Sequence, residues 1–268
     1  MNTAIFLDAA VKAAKLGGEV VLRNLGKLSK GDIGLKQASD FVTRVDRESE
    51  AVIISVLHDR FPDHYFLAEE SVHAPETDKY RWIIDPLDGT TNYIHQFPVF
   101  SISIALEFAG GIVVGVVYEP LRGDMYHAEK GKGAFLNSSP ISVSSVQSMS
   151  DCLIATGFPF RRKEVTDRYL DLFRSIFLRI SDIRRAGSAA LDLAYLAGGR
   201  CDGFFEIGLS PWDIAAGSLL IEEAGGIVSD FSGGRDYLTT GNVVAGVPFV
   251  HEEILSEVKK VFAGIIDK

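Results

Sequence analysis

Asp85-Pro86-Leu87-Asp88-Gly89-Thr90-Thr91-Asn92 places two carboxylates three residues apart across a proline, followed at once by a glycine and two hydroxyls. Carboxylates this close repel each other unless a cation lies between them, and hard oxygen ligands suit Mg²⁺, Mn²⁺ or Ca²⁺. The Gly-Thr-Thr continuation can offer backbone N–H groups to an anion where it opens a helix. A metal beside a phosphate is the chemistry this combination points to. The same residues would also suit a tight surface turn whose side chains cap a helix, so the reading needs support from elsewhere in the chain.

Two further acidic features offer it. Ala68-Glu69-Glu70-Ser71 follows an apolar strand, Tyr65-Phe66-Leu67, and Pro211-Trp212-Asp213-Ile214 places Asp213 at the N-cap or in the first turn of a helix. Singly, the glutamate pair is an ordinary charged strand end and Asp213 an ordinary cap. Beside Asp85 and Asp88 they make a candidate cation site.

The chain has 268 residues, room for one large domain or two intimate ones, and 47% of them are hydrophobic, as in a globular protein. A net charge of −9 argues against a nucleic-acid groove. It says less about a phosphorylated metabolite, because bound cations invert the local field. Basic residues gather at Arg161, Arg162, Lys163 and at Arg184, Arg185, as solvated faces or substrate contacts. Two lone cysteines, Cys152 and Cys201, lack zinc spacing and fit a reducing compartment. The first residues show no basic-then-apolar leader, and no run reaches the ~18 apolar residues of a membrane span, so a soluble, cytoplasmic protein is expected.

Apolar spacing predicts helices over residues 3–25 (Ile5, Ala9, Ala13, Leu16, Val20, Val21) and 44–58 (Val45, Ser49, Val52, Ile53, Val56, Leu57). Residues 36–43 read as a loop or short strand. Strands over 99–108 and 111–119 flank a hairpin at Ala109-Gly110-Gly111, and shorter strands are expected at 123–128 and 133–136. The serine-rich stretch 137–148 is the softest internal boundary. It separates residues 1–142, with most of the candidate metal ligands, from 143–268, which complete the pocket. Strands at 152–156, 183–185, 203–206 and 226–229, the last expected in the chain, alternate with helices near 164–179, 188–198 and 213–224, the pattern of a layered α/β half.

Glu69-Glu70-Ser71, Asp85–Asn92 and Trp212–Gly217 resemble, in order, the three signature blocks of the inositol monophosphatase family. The similarity runs through nearly the whole chain, including Asp40–Thr43, Gly115–Pro120, Gly131–Ala134 and Gly187–Ala190. It implies a layered α/β fold, an αβαβα five-layer sandwich of the sugar phosphatase type, usually homodimeric and lithium-sensitive. It also implies hydrolysis of small phosphate monoesters with Mg²⁺, two or three per site, Mn²⁺ being a possible substitute. Carried over by position, Glu69, Asp85, Asp88 and Asp213 would be metal carboxylates, joined by the carbonyl of Leu87. Thr90, paired with Asp40 or Glu69, would orient the attacking water or accept its proton. N–H groups of Gly89 and Thr90 would hold phosphate, and Lys36 with Asp40 would form an outer pair near a third metal. Gly187, Ser188 and Ala189, with Asp88, Glu206 and Asp213, would meet the substrate. One departure is Ala68, where many relatives carry glycine; its small side chain implies little effect unless φ there is positive.

Within the family the same metal site serves several esters. Glu206 suits a polyol and puts inositol-1-phosphate first. Fructose 1,6-bisphosphate comes next, its second phosphate meeting Arg161, Arg162 or Arg185. Histidinol phosphate and 3′-phosphorylated adenosine nucleotides follow; the short Ser71–Ile84 segment leaves little material to grip a nucleotide. A partner-binding protein without turnover is the reading from a different class.

Overall fold

The computed structural model describes residues 3–37, 40–71 and 79–262, with the side chains of Lys36, Gln37 and Asp40 outside that description. The first helix, α1 (Ala4–Asn24), buries Phe6 and a run of small residues, Ala9, Ala10, Ala13, Ala14, Gly17 and Gly18, which let it lie close on what it covers. The stripe is rotated from the expected one: Ile5 is exposed and Phe6 takes its place inside. A short antiparallel pair, β1 (Ile33–Gln37) and β2 (Asp40–Thr43), leads into α2 (Arg44–Arg60). Thr43 starts that helix through a capping box, its hydroxyl accepting from Val45 N at 3.1 Å while Asp46 Oδ2 accepts from Thr43 N at 2.8 Å.

Seven strands then form one sheet in chain order: β3 (Tyr65–Ala68), β4 (Arg81–Asp88), β5 (Ser101–Phe108), β6 (Gly111–Glu119), β7 (Asp124–Glu129), β8 (Ala134–Leu136) and β9 (Ser139–Ile141). Only β3 runs parallel to its neighbour; each later pair is antiparallel. Period-2 alternation sorts the side chains. Trp82, Ile84, Ile102, Ile104, Val114 and Val116 pack under α1 and α2, while Ile83, Ala105 and Val117 face the opposite core. Between β4 and β5 a short helix, α3 (Thr90–Ile94), makes the turn.

A second sheet has the order β11-β10-β12-β14-β13, formed by β10 (Leu153–Thr156), β11 (Asp182–Arg184), β12 (Gly203–Glu206), β13 (Ile227–Ser229) and β14 (Val243–Gly246). The intervening helices are α4 (Thr166–Phe177), α5 (Ala189–Ala197), α6 (Pro211–Glu223) and α7 (Tyr237–Thr240), and α8 (Pro248–Phe262) follows. The chain therefore does not end its sheet at residue 229. β14 inserts between β12 and β13, and α8 buries Val250, Ile254, Val258 and Phe262 at a strict four-residue spacing.

Three cores separate five layers. α1 and α2 cover one face of the first sheet, and α5 with α6 fill the space between the sheets. α4 and α8 close the outer face of the second sheet around Ile154, Phe205 and Val244. The αβαβα sandwich is thus present. The middle layer is alanine-rich, and α6 comes so close to β6 that a Cβ on Gly115 would lie 2.8 Å from the carbonyl oxygen of Ala216. No helix among the described residues is long and apolar enough to cross a membrane.

Candidate active site

The Asp-Pro-Leu-Asp segment is the end of a strand rather than a surface turn. Asp85 stands opposite Ser103 and Asp88 opposite Ser101, so β4 carries one more residue than β5 over this stretch. That bulge is where a proline, with no N–H to give the ladder, fits a central strand. It aims both carboxylates at the sheet's end, where α3 begins. Gly89 caps α3 at φ 94°, and a Cβ there would sit 3.0 Å from Val99 O and 3.2 Å from Gly187 O, so only glycine makes this turn.

Asp213 arrives from the middle layer. Ser210 is the N-cap of α6, Pro211 its first residue, and Asp213 Oδ2 accepts from Ser210 N at 2.8 Å. Ser103 Oγ, opposite Asp85, donates to Trp212 O at 2.9 Å and ties this helix start to the first sheet. The result is a cluster in which Asp85, Asp88 and Asp213 each offer a carboxylate oxygen, all within 4.8 Å of one another. Glu69, which follows β3 and donates its N–H to Ile84 O at 3.2 Å, lines the same cavity of about 310 Å³.

The electrostatics suit a cation. Burial raises the Asp85 carboxyl well above the ordinary carboxylate range, with Glu69, Asp88 and Asp213 adding to the effect. Burial pushes Asp88 up to about 6 against the hydrogen bonds it accepts from Ser188 and Ala190. Asp213 is pushed up to about 7 by burial and by Asp88, with Arg161 opposing. Arg161 Nη1 lies 3.6 Å from Asp213 Oδ2. Buried carboxylates facing one another hold their charge only with a cation among them. Hard oxygen donors in this number fit Mg²⁺.

The other expected residues take definite places. Leu87 buries its side chain in the first core and turns its carbonyl toward Thr90, whose hydroxyl oxygen lies 3.1 Å away. Gly89, Thr90, Gly187, Ser188, Ala189 and Glu206 all line the cavity. Ser188, expected to meet substrate, uses its hydroxyl on Asp88 Oδ2 at 2.6 Å, and Ala190 N donates to the same oxygen at 2.8 Å. Asn92 holds this loop in place, its amide donating to Val99 O at 2.7 Å and Ala186 O at 2.8 Å. The side chains of Asp40 and Lys36 lie outside the described residues. Among those described, Thr90 finds a different carboxylate: its hydroxyl donates to Asp46 Oδ1 at 2.8 Å.

Asp46 is the residue the sequence reading passed over. Burial pushes its carboxyl up to about 6, against hydrogen bonds from Thr43 and Thr90. It belongs to a polar set on the buried face of α2. Ser49 Oγ donates to Pro86 O at 3.0 Å, and Glu50 Oε2 accepts from Glu70 N at 2.7 Å. The available signal was three polar residues, Asp46, Ser49 and Glu50, interrupting the apolar stripe of Val45, Ile53 and Leu57. Asp192, a lone acid in the apolar helix α5, also lines the cavity and was likewise missed.

A profile of the inositol monophosphatase family matches residues 3–263. The chain belongs to that family. It is 46% identical to the Nus factor SuhB of Salmonella typhimurium over 254 residues, 94% of this chain and 95% of the relative. Among solved structures, the extragenic suppressor protein suhB of Bartonella henselae superimposes with a TM-score of 0.91 at 41% identity, over 96% of this chain and 99% of that one. The inositol monophosphatase of Anabaena gives 0.86 at 39% identity, over 97% of each chain. The family's sandwich is the fold described above.

Proposed function

We propose that this chain is a Mg²⁺-dependent phosphoric monoester hydrolase, with inositol-1-phosphate first among its substrates. The observation that carries the reading is the convergence of Asp85, Asp88 and Asp213 within 4.8 Å beside the Thr90–Asp46 hydrogen bond. Asp85, Asp88, Asp213 and Glu69, with the Leu87 carbonyl, would hold the metal. Bound Mg²⁺ supplies charge neutralisation on phosphoryl oxygens and acidifies water. The chain's own groups do the rest. The N–H groups of Gly89 and Thr90 would hold the phosphate, since the first turn of a helix leaves them without intrahelical partners. The Thr90 hydroxyl, oriented by Asp46, accepts a hydrogen bond from the attacking water while passing its own to the carboxylate, and Asp46, buried and drawn toward protonation, is placed to take the proton. Mn²⁺ substitution, lithium sensitivity, a homodimer and a cytoplasmic location go with this reading.

Phosphate release is to be measured with and without Mg²⁺ from inositol-1-phosphate, fructose 1,6-bisphosphate, histidinol phosphate and 3′-phosphoadenosine 5′-phosphate. Metal-dependent turnover, fastest on the inositol ester, is the expected outcome. Asp88→Asn should lower kcat/KM by at least about 10²-fold, the scale of losing one electrostatic partner of a transition state, while the circular dichroism spectrum is kept. Near-normal turnover by that variant would sink the metal assignment.

The Nus factor name carried by relatives at 46% identity supports a second reading, in which the folded chain works through a partner rather than by turnover. Asp88→Asn separates the two: an inactive variant that replaces the wild-type chain in the cell without loss favours the partner role.

A further inference from the structure

Three acids converge on the candidate metal position, and a cation reaches in beside them. Arg161 lies in the loop after β10, lines the cavity, and holds its guanidinium over the Phe160 ring, 4.9 Å from the centroid. From there Nη1 meets the start of α6. It donates to the hydroxyl of Ser210, the N-cap, at 3.4 Å and stands 3.6 Å from Asp213 Oδ2, the oxygen that also accepts from Ser210 N. The pair is shielded from water, with 22% of the Arg161 side chain and 9% of the Asp213 side chain exposed. The positive charge acts on one side of the cluster. Arg161 favours the ionised forms of Asp88 and Asp213, whereas at Asp85 the largest influences after burial are the acids Glu69, Asp88 and Asp213.

A guanidinium stays charged throughout the physiological pH range, and here it offsets part of the negative charge that an empty site leaves facing itself. The same charge works against a metal. A divalent cation held by Asp88 and Asp213 faces that guanidinium across a single carboxylate, and repulsion at such range weakens its binding several-fold even with the screening of water. Arg161 is able to withdraw, because it belongs to a loop and its side chain is part-exposed, while the bond from Ser210 N keeps Asp213 in place. We propose that Arg161 is the resident counter-cation of the Asp88–Asp213 side of the site, neutralising these acids while metal is absent and yielding when a divalent cation binds. It thereby sets the metal concentration at which the site fills. This rests on the metal assignment above and adds a regulation to it: without the arginine the site loads more readily, and the empty protein is less stable.

The test is a titration with Mn²⁺ alone, without substrate, read from the electron paramagnetic resonance signal of the free ion. It is run at about pH 8, above the raised values of Asp88 and Asp213, so that both acids are charged. Arg161→Gln should lower the half-saturating Mn²⁺ concentration at least about threefold, a gain that misfolding does not produce. Arg161→Met repeats the measurement with a second neutral side chain. Arg161→Lys keeps the charge and should stay nearer to wild type than to Arg161→Gln. Arg162→Gln is the control for net charge, since Arg162 pairs with Glu164 at the surface, and its affinity should match wild type. In chelator Arg161→Gln should melt below wild type, and saturating Mn²⁺ should close the gap. Affinity unchanged or weakened in both neutral variants overturns the proposal and leaves the metal site standing, as does equal tightening by Arg161→Lys or Arg162→Gln. A wild type that binds no Mn²⁺ overturns the metal assignment as well.

Discussion

Asp46 divides its two carboxylate oxygens between structure and site. Oδ2 closes the capping box of α2 on Thr43, and Oδ1 receives the Thr90 hydroxyl at 2.8 Å. The helix start therefore fixes the orientation of a group beside the candidate metal carboxylates. Thr90→Val removes the hydroxyl and leaves the cap untouched. It should lower kcat by about 10²–10⁴-fold, the range of general acid–base assistance, with little change in the Mg²⁺ concentration needed for half-maximal rate. Asp46→Asn should cost a similar factor, and the double variant little more than either alone, because the two act as one unit. Additive losses in a steady-state cycle would separate them. The carboxylates of the Asp-Pro-Leu-Asp motif could be read from the sequence because their chemistry lies in one short segment. Asp46 offered only the weak signal of a polar set on an apolar helix face, and its partner is 44 residues away, so its role in the site could not be told from that of a capping acid.

At the scale of elements, the site depends on three pieces meeting: the bulged end of β4, the N-terminus of α5 behind Asp88, and the N-terminus of α6 carrying Asp213. The glycine in β6 that lets α6 press on the sheet is part of this arrangement. Gly115→Ala should destabilise the fold by about 1–3 kcal/mol, the usual cost of overpacking, because the new Cβ meets backbone atoms of Ala216 rather than a movable side chain. It should also raise the Mg²⁺ concentration for half-maximal activity, since α6 carries Asp213 in its first turn. Denaturant melts paired with Mg²⁺ titration would check this, and a stability loss with metal dependence unmoved would show that Asp213 is placed by its cap alone. Most elements were legible as periodicity, among them α2 and the β5–β6 hairpin. β14 was not, and α8 went unread. β14 is four residues, Val243–Gly246, too short to alternate persuasively, and it is a strand because β12 and β13 leave a gap that it fills. The four-residue spacing in α8 was there to be read.

Across the whole molecule, the buried acids couple the fold to pH and to metal. Asp46 and Asp88 are raised to about 6 and Asp213 to about 7, above their values in an unfolded chain. A carboxyl with a raised folded pKa favours the fold when protonated. Its contribution is full below the unfolded value and is lost as pH rises through about 6 to about 7. Metal-free protein should therefore melt lower at about pH 8 than at about pH 5, by roughly 3 °C or more, and the gain on adding Mg²⁺ should be larger at the higher pH. Calorimetry in chelator and in Mg²⁺ at both pH values would test it, and a flat metal-free profile would mean the acids are not strained without a cation. The α/β alternation of the second half and the paired carboxylates of the Asp85–Asn92 turn followed from the sequence, because local periodicity, turn chemistry and motif spacing are properties of neighbouring residues, while the five-layer sandwich and the full set of candidate metal carboxylates came through the resemblance of three blocks to a known family. Tertiary structure alone decided that Thr90 is held by Asp46, that Ser188 supports Asp88, and that Asp192 and Glu206 line one cavity. Each of these depends on which distant segments the packing of five layers brings within hydrogen-bonding reach, and no local pattern along the chain encodes that.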